Sequence, residues 1–317
     1  RNGYALFNCI GKEVLICTLS VTTLTYAKAE GISVKDAAAA DSLGHQEVKL
    51  DEVIVTGSRA PLTAIQSAKI VSVITRDDID RAPAETLKLA IGADVRQRGS
   101  FGVQTDISIN GGTSDQITIL LNGINISSPQ TGHNAADFPV DMADIERIEI
   151  LEGSSARVFG SSAFNGAINI VTKREKCTGA RLSAEGGSFG TWGVNGRVSV
   201  ATGAVTNSVS GGYRQSDGGT LHSDFKRRQM FYQGDLASQH IDLQWQVGLS
   251  SQDFGANTFY SAKFNDQFEA TRRYLTSLSG TIKPFDTDWL TLVPQLYWHR
   301  DYDHYQLIRG KEGAAAR

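Results

Sequence analysis

The residues able to do chemistry in this chain are few and scattered. Three cysteines are present. Cys9 and Cys17 fall in an N-terminal apolar segment, and Cys177 stands alone in the remainder. No CxxC or Cys/His spacing for zinc is written there, and a lone thiol gives no disulfide framework. His299 and His304 lie beside Asp301 and Asp303. That cluster could hold a metal ion, although a solvated loop is the plainer reading. Gly153, Gly160 and Gly166 allow tight turns and close backbone approach. They lack the Gly-Lys-Ser/Thr ending that a phosphate-binding loop requires. No Ser/His/Asp set and no paired carboxylates stand out. The sequence therefore predicts no enzyme, no catalytic residue, no bound metal and no cofactor.

What remains is recognition chemistry. Asp51, Glu52, Val53, Ile54, Val55, Thr56 and Gly57 form a short β-branched run that ends in glycine. Its valines and isoleucine favour an extended strand. Two further stretches, RGSFGVQ (98–104) and SSPQTGHNAAD (127–137), are rich in glycine and uncharged polar groups. Phe101, Gln104, Gln130, His133 and Asn134 are their candidate ligand contacts. Such groups suit a large, neutral, polar molecule that needs many hydrogen bonds. An anionic chelate would be better served by several arginines or aromatic rings.

The elements that would position these residues change character along the chain. Residues 30–50 are polar and alanine-rich without a clear period, as a flexible linker is. Over 68–174 short strands and short helices alternate. AKIVSVIT (68–75) reads as a strand. Thr75 with Asp78 makes a capping box for a short helix, and Pro83 opens a second one. DISIN (106–110), QITILL (116–121), RIEILE (147–152) and GAINIVT (166–172) read as strands. Asn122-Gly123 is a strong two-residue hairpin signal. These residues predict a small α+β domain.

From about residue 179 the helical period vanishes. In IDLQWQVGLS (241–250), Ile241, Leu243, Trp245, Val247 and Leu249 share one side, with polar residues and Gly248 opposite. VNGRVSV (194–200) and WLTLVPQLYWHR (289–300) alternate similarly, and further runs begin near Arg181, Val205, Phe225 and Ala270. About seven antiparallel strands result. Their aromatics lie toward strand ends, as the girdles of a membrane barrel do. A soluble β-sandwich alternates in the same way, and alternation alone does not say which face meets lipid. Pro294 within an expected strand fits a ladder badly.

Composition narrows the class further. The formal net charge is −3 over 317 residues, against the basic face that nucleic-acid binding needs. Residues 14–26 are apolar and uncharged, follow Lys12, and precede Ala27-Lys28-Ala29. Residues 1–29 thus resemble a secretory signal peptide, and the run is too short for a membrane-spanning helix.

One resemblance is specific. DEVIVTGSR (51–59), DISINGGTSDQITILLNGINI (106–126) and IERIEILEGSSARVFGSSAFNGAINIVTK (145–173) together resemble TonB-dependent outer-membrane receptors. The resemblance implies a Ton box at 51–57, a plug domain at 58–174 and the N-terminal part of a β-barrel at 178–317. The barrel would be truncated, since large plugged transporters need about 22 strands. It implies energy-coupled import of a scarce bulky solute across the outer membrane. The partners would be the periplasmic domain of TonB, with its inner-membrane energising complex, and the solute itself. The plug stretches 98–104 and 127–137 would be apices facing outside. They are most similar to the vitamin B12 receptor branch, which implies a cobalamin-type corrinoid. A ferric siderophore receptor is the alternative, as is a surface-binding receptor working with a lipoprotein. Two departures bear on the plug's anchorage. Asn110 stands where many plugs carry arginine. Glu152 and Ser154 stand where many carry a basic residue and proline. The usual plug–barrel ion pairs are thus in doubt, with Arg147 and Arg157 nearby.

Overall fold

The computed structural model describes residues 54–55, 62–63, 71–75, 93–99, 103–128, 137–153, 163–261, 263–285 and 290–311. The expected signal peptide, the linker and the two helices expected after Thr75 and Pro83 lie outside them. Among the described residues the elements are strands and two short 3-10 turns, Ser114–Gln116 and Met142–Asp144.

A two-residue pairing comes first, with β1 (Ile54–Val55) against β2 (Leu62–Thr63). Then follow β3 (Val71–Ile74), β4 (Ala93–Arg98), β5 (Gln104–Ile109), β6 (Ile117–Leu121), β7 (Ile124–Asn125), β8 (Ile145–Glu152) and β9 (Gly166–Thr172). Five of these build one mixed sheet in the order β3-β8-β9-β6-β7, and β4-β5 is a separate hairpin. The β6–β7 turn is the one expected at Asn122-Gly123. Both residues take positive φ (51° and 80°), which asparagine and glycine tolerate best. Ile107, Ile109, Ile119, Ile124, Ile145, Ile148, Ile150, Ile168 and Ile170 fuse into one buried core with Leu121 and Phe138. β-Branched residues pack well on a pleated surface covered from both sides. Gly166 sits where a Cβ would lie 2.5 Å from the Leu151 carbonyl oxygen of the paired strand. Gly166→Ala is expected to destabilise the plug by about 1–3 kcal/mol, read as a lower urea midpoint. An unchanged midpoint would show that β8 and β9 can part there at no cost.

The second half is one antiparallel meander of seven strands. They are β10 (Gly179–Gly186), β11 (Trp192–Thr202), β12 (Val205–Ser216), β13 (Phe225–Ala237), β14 (Ile241–Gly255), β15 (Phe268–Ile282) and β16 (Gln295–Gln306). The sheet does not close on itself: β10 and β16 are its edges. The alternation resolves the choice between sandwich and barrel. The face turned to the plug is polar and buried, with Ser199, Ser208, Gln233, Gln244, Gln246, Ser250, Gln252 and Ser277. The opposite face exposes Leu182, Val194, Val198, Val200, Val209, Met230, Val247, Leu249, Leu278 and Leu296. A soluble sandwich has the reverse arrangement. Polar inside and apolar outside is the pattern of a strand sheet facing lipid. No described helix is long and apolar enough to cross a membrane, which leaves strands to do it.

Two expectations change. Pro294 lies just before β16 rather than within it, and its carbonyl accepts from Gly280 N at 3.1 Å. A residue without an N–H thus sits at the strand's entrance. His299, Asp301, Asp303 and His304 belong to β16, not to a solvated loop. No metal-ligating group of three is found among the described residues.

Candidate functional site: the plug apex and its seat in the sheet

Strand connections distinguish the two ends of the sheet. Residues 203–204 and 238–240 make tight turns at one end, which also carries the longer connection 283–294, while 217–224 and 256–267 both make longer loops at the other. Short turns mark the periplasmic side of such sheets and long loops the outside. The β4–β5 hairpin reaches the loop end. Its last pair is Arg98 with Gln104. Arg98 donates to the Phe259 carbonyl at 2.7 Å and pairs with Asp106 at 3.2 Å. Val103 packs with Phe225, Phe254 and Ala256, and Phe259 closes over this small core. Gln252 Nε2 donates to the Val103 carbonyl at 2.6 Å.

Gln104 is fully buried beneath this apex. Its amide donates to Tyr260 Oη at 2.5 Å, and that hydroxyl donates to Glu269. Burial first, then the neighbouring Glu269 carboxylate, push the Tyr260 phenol well above the usual tyrosine range. Tyr260 therefore stays a donor at any physiological pH. Among the described residues, Gln104 Oε1 and Gln267 Nε2 are buried without a hydrogen-bond partner, an arrangement that leaves acceptor and donor capacity unused at the apex. Phe101, Gln130, His133 and Asn134 lie outside the described residues. Of the segment expected to couple, Ile54 and Val55 are described, as β1; Asp51, Glu52, Val53, Thr56 and Gly57 are not. Ile54 pairs with Thr63 and Val55 with Leu62.

The plug's anchorage was not legible as such in the sequence. Asn110 and Glu152, the two departures, meet each other: Asn110 Nδ2 donates to Glu152 Oε2 at 3.0 Å. Charge pairs of both signs join plug and sheet: Arg174, at the plug's end, pairs with Asp235 at 3.2 Å and Asp242 at 2.9 Å, and elsewhere carboxylates on the plug meet arginines on the sheet. Asp144 is fully buried and receives Arg197 Nη1 of β11 at 2.8 Å. Ser210 of β12 also donates to Asp144, and Arg197 reaches the Lys173 carbonyl at 3.3 Å. Asp137, nearly buried, accepts from Ser250 at 2.8 Å and Thr271 at 3.2 Å. Arg227 donates to the Phe138 carbonyl at 2.8 Å. Arg273 donates to the Asp137 carbonyl at 2.6 Å and pairs with Asp301 at 3.0 Å. Asp141 accepts from Gln229 at 2.9 Å. A polar seam continues inward: Asn122 donates to Gln246 at 2.9 Å and Thr172 to Gln233 at 2.5 Å. A signal for the seat did exist. Arg197 occupies a polar-side position of VNGRVSV, and Asp137, Asp141 and Asp144 recur through DFPVDMAD.

Residues 63–167 match the family model described as TonB-dependent Receptor Plug Domain. The chain is 33% identical over 216 residues to a vitamin B12 transporter, BtuB, of Photobacterium profundum, covering 64% of this chain and 33% of the relative. A protein of the same name from Vibrio vulnificus is 29% identical over 244 residues, covering 74% and 37%. The chain thus spans about a third of the length of these relatives. Among solved structures it is similar to the siderophore receptor PiuA from Acinetobacter baumannii. The TM-score is 0.63 at 16% identity, covering 81% of this chain and 39% of that one. The ferric yersiniabactin uptake receptor FyuA from Yersinia pestis gives 0.60 at 16% identity, covering 78% and 43%. At such identity these likenesses establish the fold alone.

Proposed function

We propose that this chain, whose residues 63–167 match the plug domain of TonB-dependent receptors, forms the plug and first barrel strands of an outer-membrane importer of that family. One observation carries this reading. A folded plug is seated by buried polar groups against a sheet whose other face is apolar and exposed. A passive pore has no need of such a plug. A scarce solute would bind from outside at the plug apex and the loops above it. The segment 51–57 would then be offered to TonB in the periplasm, and strand pairing would transmit the pull. Binding and movement of folded segments suffice for this work, and no catalytic residue is assigned.

A cobalamin-type corrinoid is the favoured solute. Support comes from the relatives near 30% identity, which are named as vitamin B12 transporters, and from the uncharged polar character of 98–104 and 127–137. A ferric siderophore is the second reading; the solved structures named as siderophore receptors share the fold with this chain and carry no argument for the solute. Gln130 is proposed to contact the solute directly. Gln104 would hold Tyr260 in place beneath it and offer its unpartnered Oε1.

Calorimetry with cyanocobalamin on the receptor purified from outer membranes tests this. Micromolar or tighter binding is expected. Gln104→Ala and Gln130→Ala should each weaken it about three- to tenfold, as loss of a hydrogen bond does. No binding at micromolar ligand would reject the corrinoid. Binding that neither substitution weakens would reject these residues as its site.

A further inference from the structure

The lipid-facing side of the sheet carries charge at one end only. Cross-strand register places Tyr213, Arg228, Ser251, Arg272 and Tyr302 in one outward row. The next outward row toward the turns holds Gly211, Met230, Leu249, Tyr274 and Arg300. The row beyond it toward the loops holds Gln215, Lys226, Asp253, Ala270 and His304. From there to the turns the outward positions of β12–β16 bear no charge: Val209, Tyr232, Val247, Thr276 and Trp298, then Asn207, Gly234, Trp245, Leu278 and Leu296. Four cations therefore face one carboxylate, Asp253, at the loop end of an otherwise uncharged surface.

An arginine on a lipid face costs about 2–4 kcal/mol at the midplane and about 0–1 near the interface. These side chains belong at the outer interface, and they are arranged there. Arg272 is fixed by Asp253 at 2.8 Å and by the Gln252 and Thr271 carbonyls. Arg228 lies over the Tyr213 ring at 5.9 Å. Among the described residues, Arg300 and Lys226 have no ion-pair partner. Arg272, Tyr274, Trp298, Arg300 and Tyr302 together line an open cleft of about 460 Å³. All five point outward, so a further strand hydrogen-bonded to the edge of β16 would leave the cleft open.

We infer that this cleft binds the anionic, phosphate-bearing headgroup of an outer-leaflet lipid. Guanidinium groups present paired donors that match phosphate oxygens. The aromatic rings have one apolar and one wet end, which suits the interface. Acyl chains would lie on Met230, Leu249, Leu278 and Leu296 directly below. A free phosphate ion would use only the upper half of this surface. Charge above and apolar surface below match an amphiphile. The inference rests on the orientation given above, with the loops outside.

The test is phosphorus analysis and mass spectrometry of lipid retained by the receptor purified from outer membranes in non-ionic detergent. The wild type should carry a phosphate-bearing lipid through a wash with excess inorganic phosphate. Arg272→Gln with Arg300→Gln should reduce that lipid about tenfold or more, while solute uptake is unchanged. Arg300→Gln alone keeps the Asp253 pair, and it is the readout should the double variant fail to insert. Equal lipid in wild type and variant, or displacement by inorganic phosphate, overturns the inference and leaves the import reading standing. Added impermeant protease that cuts the 203–204 and 238–240 turns rather than the 256–267 loop on whole cells would instead overturn the orientation on which it rests.

Discussion

Proline at Ile54 or at Val55 is expected to abolish energy-driven uptake while solute binding at the cell surface persists. The two residues form β1 and pair with β2 over only two positions, Ile54 with Thr63 and Val55 with Leu62. A net hydrogen bond is worth about 1 kcal/mol, so such a ladder holds the segment lightly and can be exchanged for a partner strand. Strand addition draws its affinity from main-chain groups. Proline removes one main-chain donor and fixes φ, which strikes at that affinity directly. Ile54→Val keeps both the donor and the β preference and should transport normally. The measurement is labelled-solute accumulation beside surface binding at low temperature. Equal loss of both in the proline variants would make 54–55 an ordinary structural strand, with coupling placed elsewhere.

Legibility of the fold followed the reach of each physical signal. GAINIVT was readable residue for residue as β9 because its side chains are buried along nearly its whole length. IDLQWQVGLS revealed the first part of β14, but the strand runs on to Gly255. Its last outward residues, Ser251 and Asp253, stand above the apolar band, so the hydrophobic alternation stops while the hydrogen-bonded ladder continues. β4 was missed for a related reason. ADVRQR is charged and half exposed, and it becomes a strand through its pairing with β5. Pro294 was misplaced because the alternation of Leu290 and Leu292 with Leu296 runs through it, whereas the strand proper begins at Gln295. The seat of the plug depends on partners far apart in sequence, such as Asp144 with Arg197. Residue types and spacing cannot show such pairs until a register is known. Of the ligand contacts expected at the apex, Gln104 alone falls within the described residues. Its burial under Tyr260 reflects a packing environment that its own neighbours in sequence do not encode.

Asp144→Ala is expected to loosen the plug in the barrel by about 3–5 kcal/mol, the usual cost of removing one partner of a buried ion pair. Arg197 would be left 7% exposed, with the Lys173 carbonyl and Ser208 hydroxyl as its remaining close partners and Glu175 at 3.8 Å. Arg197→Ala should cost a similar amount, because Asp144 would keep only neutral donors such as Ser210. Asp144→Leu with Arg197→Met should recover much of the loss, since an apolar pair of similar volume often replaces a buried ion pair at little cost. Glu152→Ala, by contrast, removes an exposed partner of Asn110 and should change stability by less than about 1 kcal/mol. Two measurements check this: urea unfolding of the plug in the intact receptor, and sensitivity of cells to a large hydrophilic antibiotic that enters only when the plug leaks. The single variants should be leaky, and the apolar double variant should be tight. Additive effects of Asp144→Ala and Arg197→Ala would remove this pair from the plug's anchorage and leave the neutral seam of Asn122, Thr172, Gln233 and Gln246 to hold it. A coupling of 2 kcal/mol or more between them, roughly what a charge-assisted contact contributes, would place the hold at Arg197, where the plug meets β11 and β12.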